Sequence, residues 1–262
     1  MPLSIATWNI NGIKARLHNL VAWLEAEKPD VACLQEIKSQ DEQFPRMEIE
    51  ALGYNLVVHG QKSFNGVALL SRTPIEDVTI GLPGDQNDEQ ARYVEGVIAT
   101  DGAPIRVGGL YLPNGNPVDT EKFPYKLRWM ERLRAHARAR LDLEDAFVLA
   151  GDYNVIPTDD DVHNPVAWEG DALTRPESRS SFRALKSLGL SEAVADTAPG
   201  THNYTFWDYQ AGAWQKNNGI RIDHLLLSPE ASDRLVSTRV DKSVRSWEKP
   251  SDHVPVWATF SN

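Results

Sequence analysis

Phe147-Val148-Leu149-Ala150 runs straight into Gly151-Asp152-Tyr153-Asn154, and this stretch constrains the chain more than any other. A short continuous apolar run marks a strand covered on both faces, as in a sheet layered between other elements. Glycine at 151 frees the backbone to turn. Asp152 and Asn154 are thereby delivered to a strand end, where ligands of open α/β sheets gather. Read alone, Gly-Asp-x-Asn is equally a polar turn that caps a strand. Recurrence along the chain separates the two readings.

Residues 4–10 alternate as a strand and lead into Asn9, Asn11 and Gly12. Ile13, Leu17, Leu20, Val21 and Leu24 then recur at helical spacing until Lys28-Pro29-Asp30 closes the helix. Residues 31–34 form a second strand, ending in Gln35-Glu36. Residues 56–59 and 66–70 pair around a polar hairpin. Residues 92–100 and 105–112 make another pair, the second running into Tyr111-Leu112-Pro113-Asn114-Gly115. A helix over 121–141 turns Leu127, Met130, Leu133, Ala137 and Leu141 inwards. After the Asp152 strand, residues 157–181 are irregular, and a loop that long is usually functional or mobile. A short helix over 182–188 closes at Gly189. Residues 204–207 read as an aromatic strand and 220–227 as a strand carrying Asp223. Ser228-Pro229 opens a helix, and Ser251-Asp252-His253-Val254-Pro255 precedes a last strand over 256–260. No fixed-period repeat, low-complexity tract or linker interrupts residues 1–262, which read as one domain.

The chain is 41% hydrophobic and 24% charged, an ordinary soluble globular composition. No apolar run approaches the ~18 residues of a membrane helix. The N-terminus enters a strand pattern at once, with no room for a signal segment. The single cysteine, Cys33, sits in an apolar run and reads as an inert core thiol. These features fit a reducing, cytoplasmic setting. A net charge of −10 argues at first sight against a polyanionic partner. Residues 121–140 nevertheless balance at +5, against −15 for the remainder. Most of that basic helix is a solvated face, and only Lys122 and Lys126, at its start, are placed to reach a ligand. Carboxylates that hold a divalent cation also make the formal charge overstate the field a substrate meets.

Asn9, Glu36, Tyr111, Asp152 with Asn154, Asp223, and Asp252 with His253 all close or punctuate apolar strands. Together they predict one polar cleft at an edge of the sheets. The residue types suit metal-assisted hydrolysis of a phosphoester. Glu36, with Asn9 or Asp252, offers hard oxygen ligands suited to Mg²⁺. Cysteine and histidine are absent where zinc would need them. No serine or cysteine stands beside a base, so water is the expected nucleophile, with Asp152 to orient or deprotonate it and Asn154 to fix its direction. Asp223 is the expected partner of His253, whose imidazolium would stabilise charge developing on phosphate. Side chains alternate along a strand, so His224 faces away from Asp223 and reads as structural.

Trp8-Asn9-Ile10-Asn11-Gly12, Leu34-Gln35-Glu36-Ile37-Lys38, Tyr111-Leu112-Pro113-Asn114-Gly115, Gly151-Asp152-Tyr153-Asn154, Arg221-Ile222-Asp223-His224 and Ser251-Asp252-His253-Val254-Pro255 occur in this order. In that order the chain resembles the exonuclease III / apurinic (AP) endonuclease family of the endonuclease/exonuclease/phosphatase superfamily, in its bacterial type. The resemblance implies a four-layered α/β sandwich, two mixed β-sheets packed face to face with helices outside. It implies a monomeric nuclease, dependent on Mg²⁺ or Mn²⁺, acting on double-stranded DNA with abasic sites or blocked 3′ ends. AP endonuclease, 3′-phosphodiesterase, 3′-phosphatase and 3′–5′ exonuclease activities would share one site. By that pattern Glu36 is the chief metal ligand, with Asn9 and Asp252 near it and Asp152 and Asn154 completing the candidate set. Tyr111 contacts phosphate, and His253 pairs with Asp223.

The expected substrate contacts are Arg92, Lys122 and Lys126 on DNA phosphates, Asn114 as a further substrate-binding residue, and Phe206, Ile220 and Ile222 as walls of a small apolar pocket. Alternation sets both isoleucines away from Asp223 in a regular strand, so the pocket requires an irregular strand start near Asn218-Gly219. Asn11 stands where some relatives carry Asp, and Ile220 where the mammalian type has Trp. Two other readings remain open to the sequence. One is another phosphodiesterase of the superfamily, such as an inositol-phosphate phosphatase or a general DNase. The other is a catalytically inactive DNA-binding module.

Overall fold

The computed structural model describes residues 2–200 and 202–261. In chain order the elements are β1 (Leu3–Asn9), α1 (Leu17–Glu27), β2 (Val31–Gln35), α2 (Arg46–Glu50), β3 (Asn55–His59), β4 (Val67–Ser71), β5 (Ile75–Ile80), β6 (Tyr93–Ile98) and β7 (Ile105–Tyr111). There follow α3 (Lys122–Leu141), β8 (Phe147–Asp152), α4 (Pro176–Lys186), β9 (Ser191–Glu192), α5 (Ala193–Thr197), β10 (Asp223–Leu227), α6 (Pro229–Ser232), β11 (Leu235–Val240) and β12 (Val256–Phe260). They form two six-stranded sheets, ordered β11-β12-β1-β2-β4-β3 and β5-β6-β7-β8-β10-β9. Each is mixed, because β1 runs parallel to β2 and β7 parallel to β8, while their other neighbours are antiparallel.

Side-chain alternation stacks the layers. Val148 and Ala150 of β8 meet Ile5, Val31 and Cys33 of the facing sheet in a core between the two sheets. Phe147 and Leu149 point the other way, onto Trp129, Met130 and Leu133 of α3 and Phe182 and Leu185 of α4. Ala6 and Trp8 of β1 likewise cover Leu20, Trp23 and Leu24 of α1. The result is the expected four-layered α/β sandwich. The apolar run of β8 is continuous because both of its faces are covered. Cys33 lies in the inter-sheet core, and burial pushes its thiol up to about 12, so it stays protonated and inert. Among the described residues no helix is long and apolar enough to cross a membrane.

The same alternation places the polar residues. Asn9, Tyr111, Asp152 and Asp223 share the inner-face parity of Ile5, Val107, Ala150 and Leu225. Each sits at a strand end, and Asp152 is in register with both Tyr111 and Asp223. The mouth of the inter-sheet space is therefore polar.

Local details depart from the sequence expectations. Gly151 does not turn the chain. It lies inside β8, where a Cβ would come within 2.0 Å of the Leu110 carbonyl oxygen, so glycine serves the close approach of β8 to β7. The turn falls at Asn154, at φ +47°. The first helix starts at Leu17 rather than Ile13. Residues 204–207 form no strand: Phe206 makes only isolated bridges to Ile220 and His253. The strand expected from 220 begins at Asp223.

Candidate active site

The residues that gather at this mouth come from both sheets. Asn9 ends β1, and its amide Nδ2 donates to Glu36 Oε1 and to Asp152 Oδ2, both at 3.0 Å. Glu36 follows β2 directly at φ +49°, a sparsely populated conformation for a residue with a Cβ. The Tyr111 hydroxyl donates to Glu36 Oε1 at 2.9 Å, and Lys38 Nζ lies 2.9 Å from Glu36 Oε2. Asp152 accepts from the backbone N–H of Asn154 on Oδ1, at 2.9 Å. On the far side, His253 Nδ1 is 2.8 Å from Asp223 Oδ2, and His253 Nε2 is 3.8 Å from Asp152 Oδ2.

The supports are as specific as the site. Thr205 Oγ1 donates to Asp223 Oδ2 at 2.6 Å, and the hydroxyl in turn accepts from the N–H groups of Ile222 and Asp223. Trp8 Nε1 donates to the His253 carbonyl, and Ser251 Oγ donates to the Asn9 carbonyl while accepting from the His253 N–H. The 251–253 segment is thus pinned to β1.

Burial and charge set the protonation states. Burial alone would lower the pKa of His253, but Asp223, Asp152 and Asp252 outweigh it and hold the imidazole up at about 10. Burial raises Asp152 to about 7, with Asp223 and Glu36 pushing the same way against His253 and the Asn154 N–H. Burial also works against ionisation of Glu36, yet Lys38, the Asn9 amide and His253 keep it below the usual carboxylate range. The Tyr111 phenol is held well above its ordinary value by burial, then by Glu36 and Asp152, so it is a neutral donor.

Glu36, Asp152 and His253 bring one ligand atom each within 4.8 Å of one another, the kind of group that holds a metal ion. The imidazolium of His253 is engaged with Asp223 and is no ligand while charged, which leaves carboxylate oxygens. Such donors fit a hard divalent cation and not a thiophilic one. Asp252 stands beside this group rather than in it: its carboxylate accepts from Asn11 Nδ2 at 3.0 Å. Asn9 presents its amide nitrogen to the carboxylates, while its oxygen accepts from the Asn11 N–H. Asn154 has both ends of its side chain engaged, with Nδ2 donating to the Leu112 carbonyl and Oδ1 accepting from Asn114.

The substrate contacts expected from sequence divide sharply. Arg92 packs its guanidinium 4.8 Å from the Tyr111 ring centroid and donates to the Tyr111 carbonyl. Arg92, Asn114 and Lys122 line one cavity of about 410 Å³. Lys126 is fully buried under the loops and faces no solvent, which overturns its reading as a phosphate contact. The irregular strand start at 219–222 is present, but Ile220 and Ile222 are buried in a core with Phe123, Ile156, Val162 and Leu173. They are packing residues, because the loop after β8 and the start of α3 cover them. Phe206 is half-buried, and its ring lies 5.0 Å from that of His253.

His224 faces away from the site, as alternation requires, in a buried group with Arg221 and Glu192. His136 is likewise occupied, on Glu95. Sequence reasoning missed Lys38 and Thr205 as partners of site residues. Lys38 was legible in principle, two residues beyond Glu36. Nothing local ties Thr205 to Asp223, 18 residues away.

The Endonuclease/Exonuclease/phosphatase family model matches residues 6–253. The chain belongs to this family. Exodeoxyribonuclease III of Haemophilus influenzae is 35% identical over 98% of this chain and 100% of the relative, which places the chain on the exonuclease III / AP endonuclease branch. The structure of an AP endonuclease from Archaeoglobus fulgidus superposes with a TM-score of 0.94 at 37% identity, covering 99% of this chain and 100% of the other. A 3′ phosphatase from Neisseria, solved bound to a product DNA hairpin, gives 0.95 at 35% identity with the same coverage. The fold and the polar mouth described above belong to an enzyme of this branch.

Proposed function

We propose that the chain is a magnesium-dependent DNA repair nuclease that hydrolyses phosphodiesters of double-stranded DNA at abasic sites and blocked 3′ ends and digests from 3′ ends. One observation carries this reading: His253, held as a cation, lies 3.8 Å from Asp152, a carboxylate that burial raises to about 7. A charged donor and a group able to take a proton at neutral pH thus converge on one point. Asp152 orients a water and takes its proton. The Asn154 N–H occupies Oδ1 of Asp152 and leaves Oδ2 towards the site. His253 and Tyr111 donate to the phosphoryl oxygens as charge develops there. Asp223 keeps the imidazole ring oriented and charged. Glu36 would be the chief holder of Mg²⁺, or of Mn²⁺ in its place, with Asp152 and Asn9 beside it, and the ion would supply Lewis-acid stabilisation of developing charge. Arg92, Asn114 and Lys122 track the DNA backbone. The names of the relatives support this substrate class. The reading takes residues 1–262 as one domain acting as a cytoplasmic monomer.

The test is a parallel assay on an abasic duplex, a nicked duplex with a 3′-phosphate and an undamaged blunt duplex, each with Mg²⁺ and with chelator. Mg²⁺-dependent incision of the abasic duplex supports the reading. Phosphate release from a soluble inositol phosphate with every duplex intact would replace it by another phosphodiesterase. DNA binding without cleavage under all conditions would replace it by a binding module.

A further inference from the structure

Lys126 is the one site residue expected on the surface that the fold removes from water completely. Among the described residues no carboxylate lies within ion-pairing distance of it. Its ammonium instead donates to three backbone carbonyls: Asn154 at 2.6 Å, Asn114 at 3.1 Å and Ala172 at 3.3 Å. An ammonium has three donors and no acceptor, so this cage uses its whole capacity. Burial brings this ammonium down to about 7, against the pull of Asp171 and Asp152, and the three carbonyl dipoles compensate the charged form.

The three carbonyls belong to three segments that lie beyond the paired ends of β7 and β8, joined to one another by only a few hydrogen bonds such as that from the Ile156 N–H to the Leu173 carbonyl. Asn114 follows β7, Asn154 follows β8, and Ala172 lies in the long connection to α4. Two of them flank the catalytic carboxylate. The Asn154 residue whose carbonyl receives Lys126 is also the one whose N–H orients Asp152. Asn154 is held at φ +47°, and its side-chain oxygen accepts from Asn114 Nδ2 at 3.0 Å. A second observation shows how closely the loop is fitted to this side chain. Gly115 has φ +93°, and a Cβ there would lie 2.8 Å from Lys126 Cδ and 3.1 Å from Ala172 Cβ. The loop rests directly on the aliphatic stem.

We propose that Lys126 is a positioning residue for hydrolysis: from the second turn of α3 it holds the Asn114 and Asn154 loops in register with Asp152 and ties the 157–174 connection to them. This rests on the nuclease reading above. It replaces a DNA-contact role with an internal one, and the two differ in what they do to kinetics. Misplacing a catalytic group lowers turnover, whereas loss of a phosphate contact weakens binding and its response to salt.

The test compares wild type, Lys126→Met and Lys126→Arg on the abasic duplex, well below the melting temperature of each. We expect Lys126→Met to lose about 10- to 100-fold in kcat, the scale of a small displacement of a catalytic group. KM should stay within about threefold, since no substrate contact is removed. The salt dependence of DNA affinity should be unchanged. Lys126→Arg, which restores a cation with several donors, should recover part of kcat. If Lys126→Met fails to fold, Lys126→Gln, which keeps donors for part of the cage, carries the same comparison. A raised KM with a flattened salt response and an intact kcat would return Lys126 to DNA contact and overturn the proposal. A lowered melting temperature with kcat unchanged would also overturn it, leaving only a brace for the fold. A wild type that cuts none of the duplexes would overturn the nuclease reading itself, a result separate from either of these.

Discussion

His253 Nδ1 sits 2.8 Å from Asp223 Oδ2, although the two residues are 30 positions apart, Asp223 opening β10 of one sheet and His253 lying in the segment that leads into β12 of the other. The same oxygen accepts from Thr205, while Asp223 Oδ1 is buried without a partner among the described residues. All hydrogen bonding of this carboxylate therefore passes through one atom. The pair acts as a unit, and its losses should not add. Asp223→Ala combined with His253→Ala is expected to cost little more in kcat/KM than His253→Ala alone. A double-mutant cycle checks this, and fully additive losses would separate the two residues.

The charge on His253 also fixes a pH dependence. Its folded pKa is raised, so the cation persists from neutral pH upwards and is lost only as pH climbs through about 10. In Asp223→Ala, burial is no longer outweighed by that carboxylate, and the alkaline limb of the rate profile should move to lower pH. A pH–kcat/KM profile of both proteins measures the shift. An unmoved alkaline limb would mean that His253 does not set it.

Glu36→Gln keeps the size of the side chain and removes the charge that faces Lys38, Tyr111 and the metal. Lewis-acid stabilisation is worth several kcal/mol, so turnover should fall by about two to four orders of magnitude. Direct titration with Mn²⁺ should show weakened binding, and high Mg²⁺ or Mn²⁺ should restore part of the rate. Near wild-type activity at low Mg²⁺ would remove Glu36 from the centre.

Acid stability should depend on two buried carboxylates far from the chemistry. Glu95 accepts from Tyr93 and His136 and pairs with Arg106 and Arg140. Glu192 pairs with Arg221 and lies beside His224. Burial raises both, but these partners prevail and bring each to about 2 from 4.5. Both folded pKa values are depressed, so the stabilisation is present above pH 4.5 and is lost as pH falls towards 2. Each group contributes up to about 3 kcal/mol by this linkage. Denaturant midpoints at pH 7, 4.5 and 3 should fall steeply in wild type and less steeply in Glu95→Gln, which starts lower.

Phe206 and Ile220 are expected to part company. Ile220→Ala removes a fully packed side chain and should cost about 2–5 kcal/mol, with all activities reduced alike. Phe206 is half-buried against His253, so Phe206→Ala should cost less stability. It should change the ratio of abasic incision to 3′-phosphate removal. Melting temperatures and both rates on one preparation decide, and an unchanged ratio would make Phe206 ordinary packing.

The sequence by itself determined the strands that matter most and which of their residues face the site. In β8 and β2 burial on both faces leaves a nearly continuous apolar run, β1 shows as an alternating one, and the polar residues Asn9, Glu36, Tyr111, Asp152 and Asp223 stand out at strand ends. These are local properties of the backbone, set within a few residues. The edge strands β5 and β11 were not legible, since each has one unpaired side and carries polar residues among apolar ones. Only the tertiary structure decided that Gly151 serves a close approach instead of a turn. It alone showed that Ile220 and Ile222 are core, that Thr205 lies against Asp223, and that Lys126 is caged by carbonyls. Whether a lysine on a basic helix meets water or a ring of carbonyls depends on segments as distant as Ala172 folding over it. Desolvation is decided by what covers a side chain, and no window of neighbouring residues contains that information.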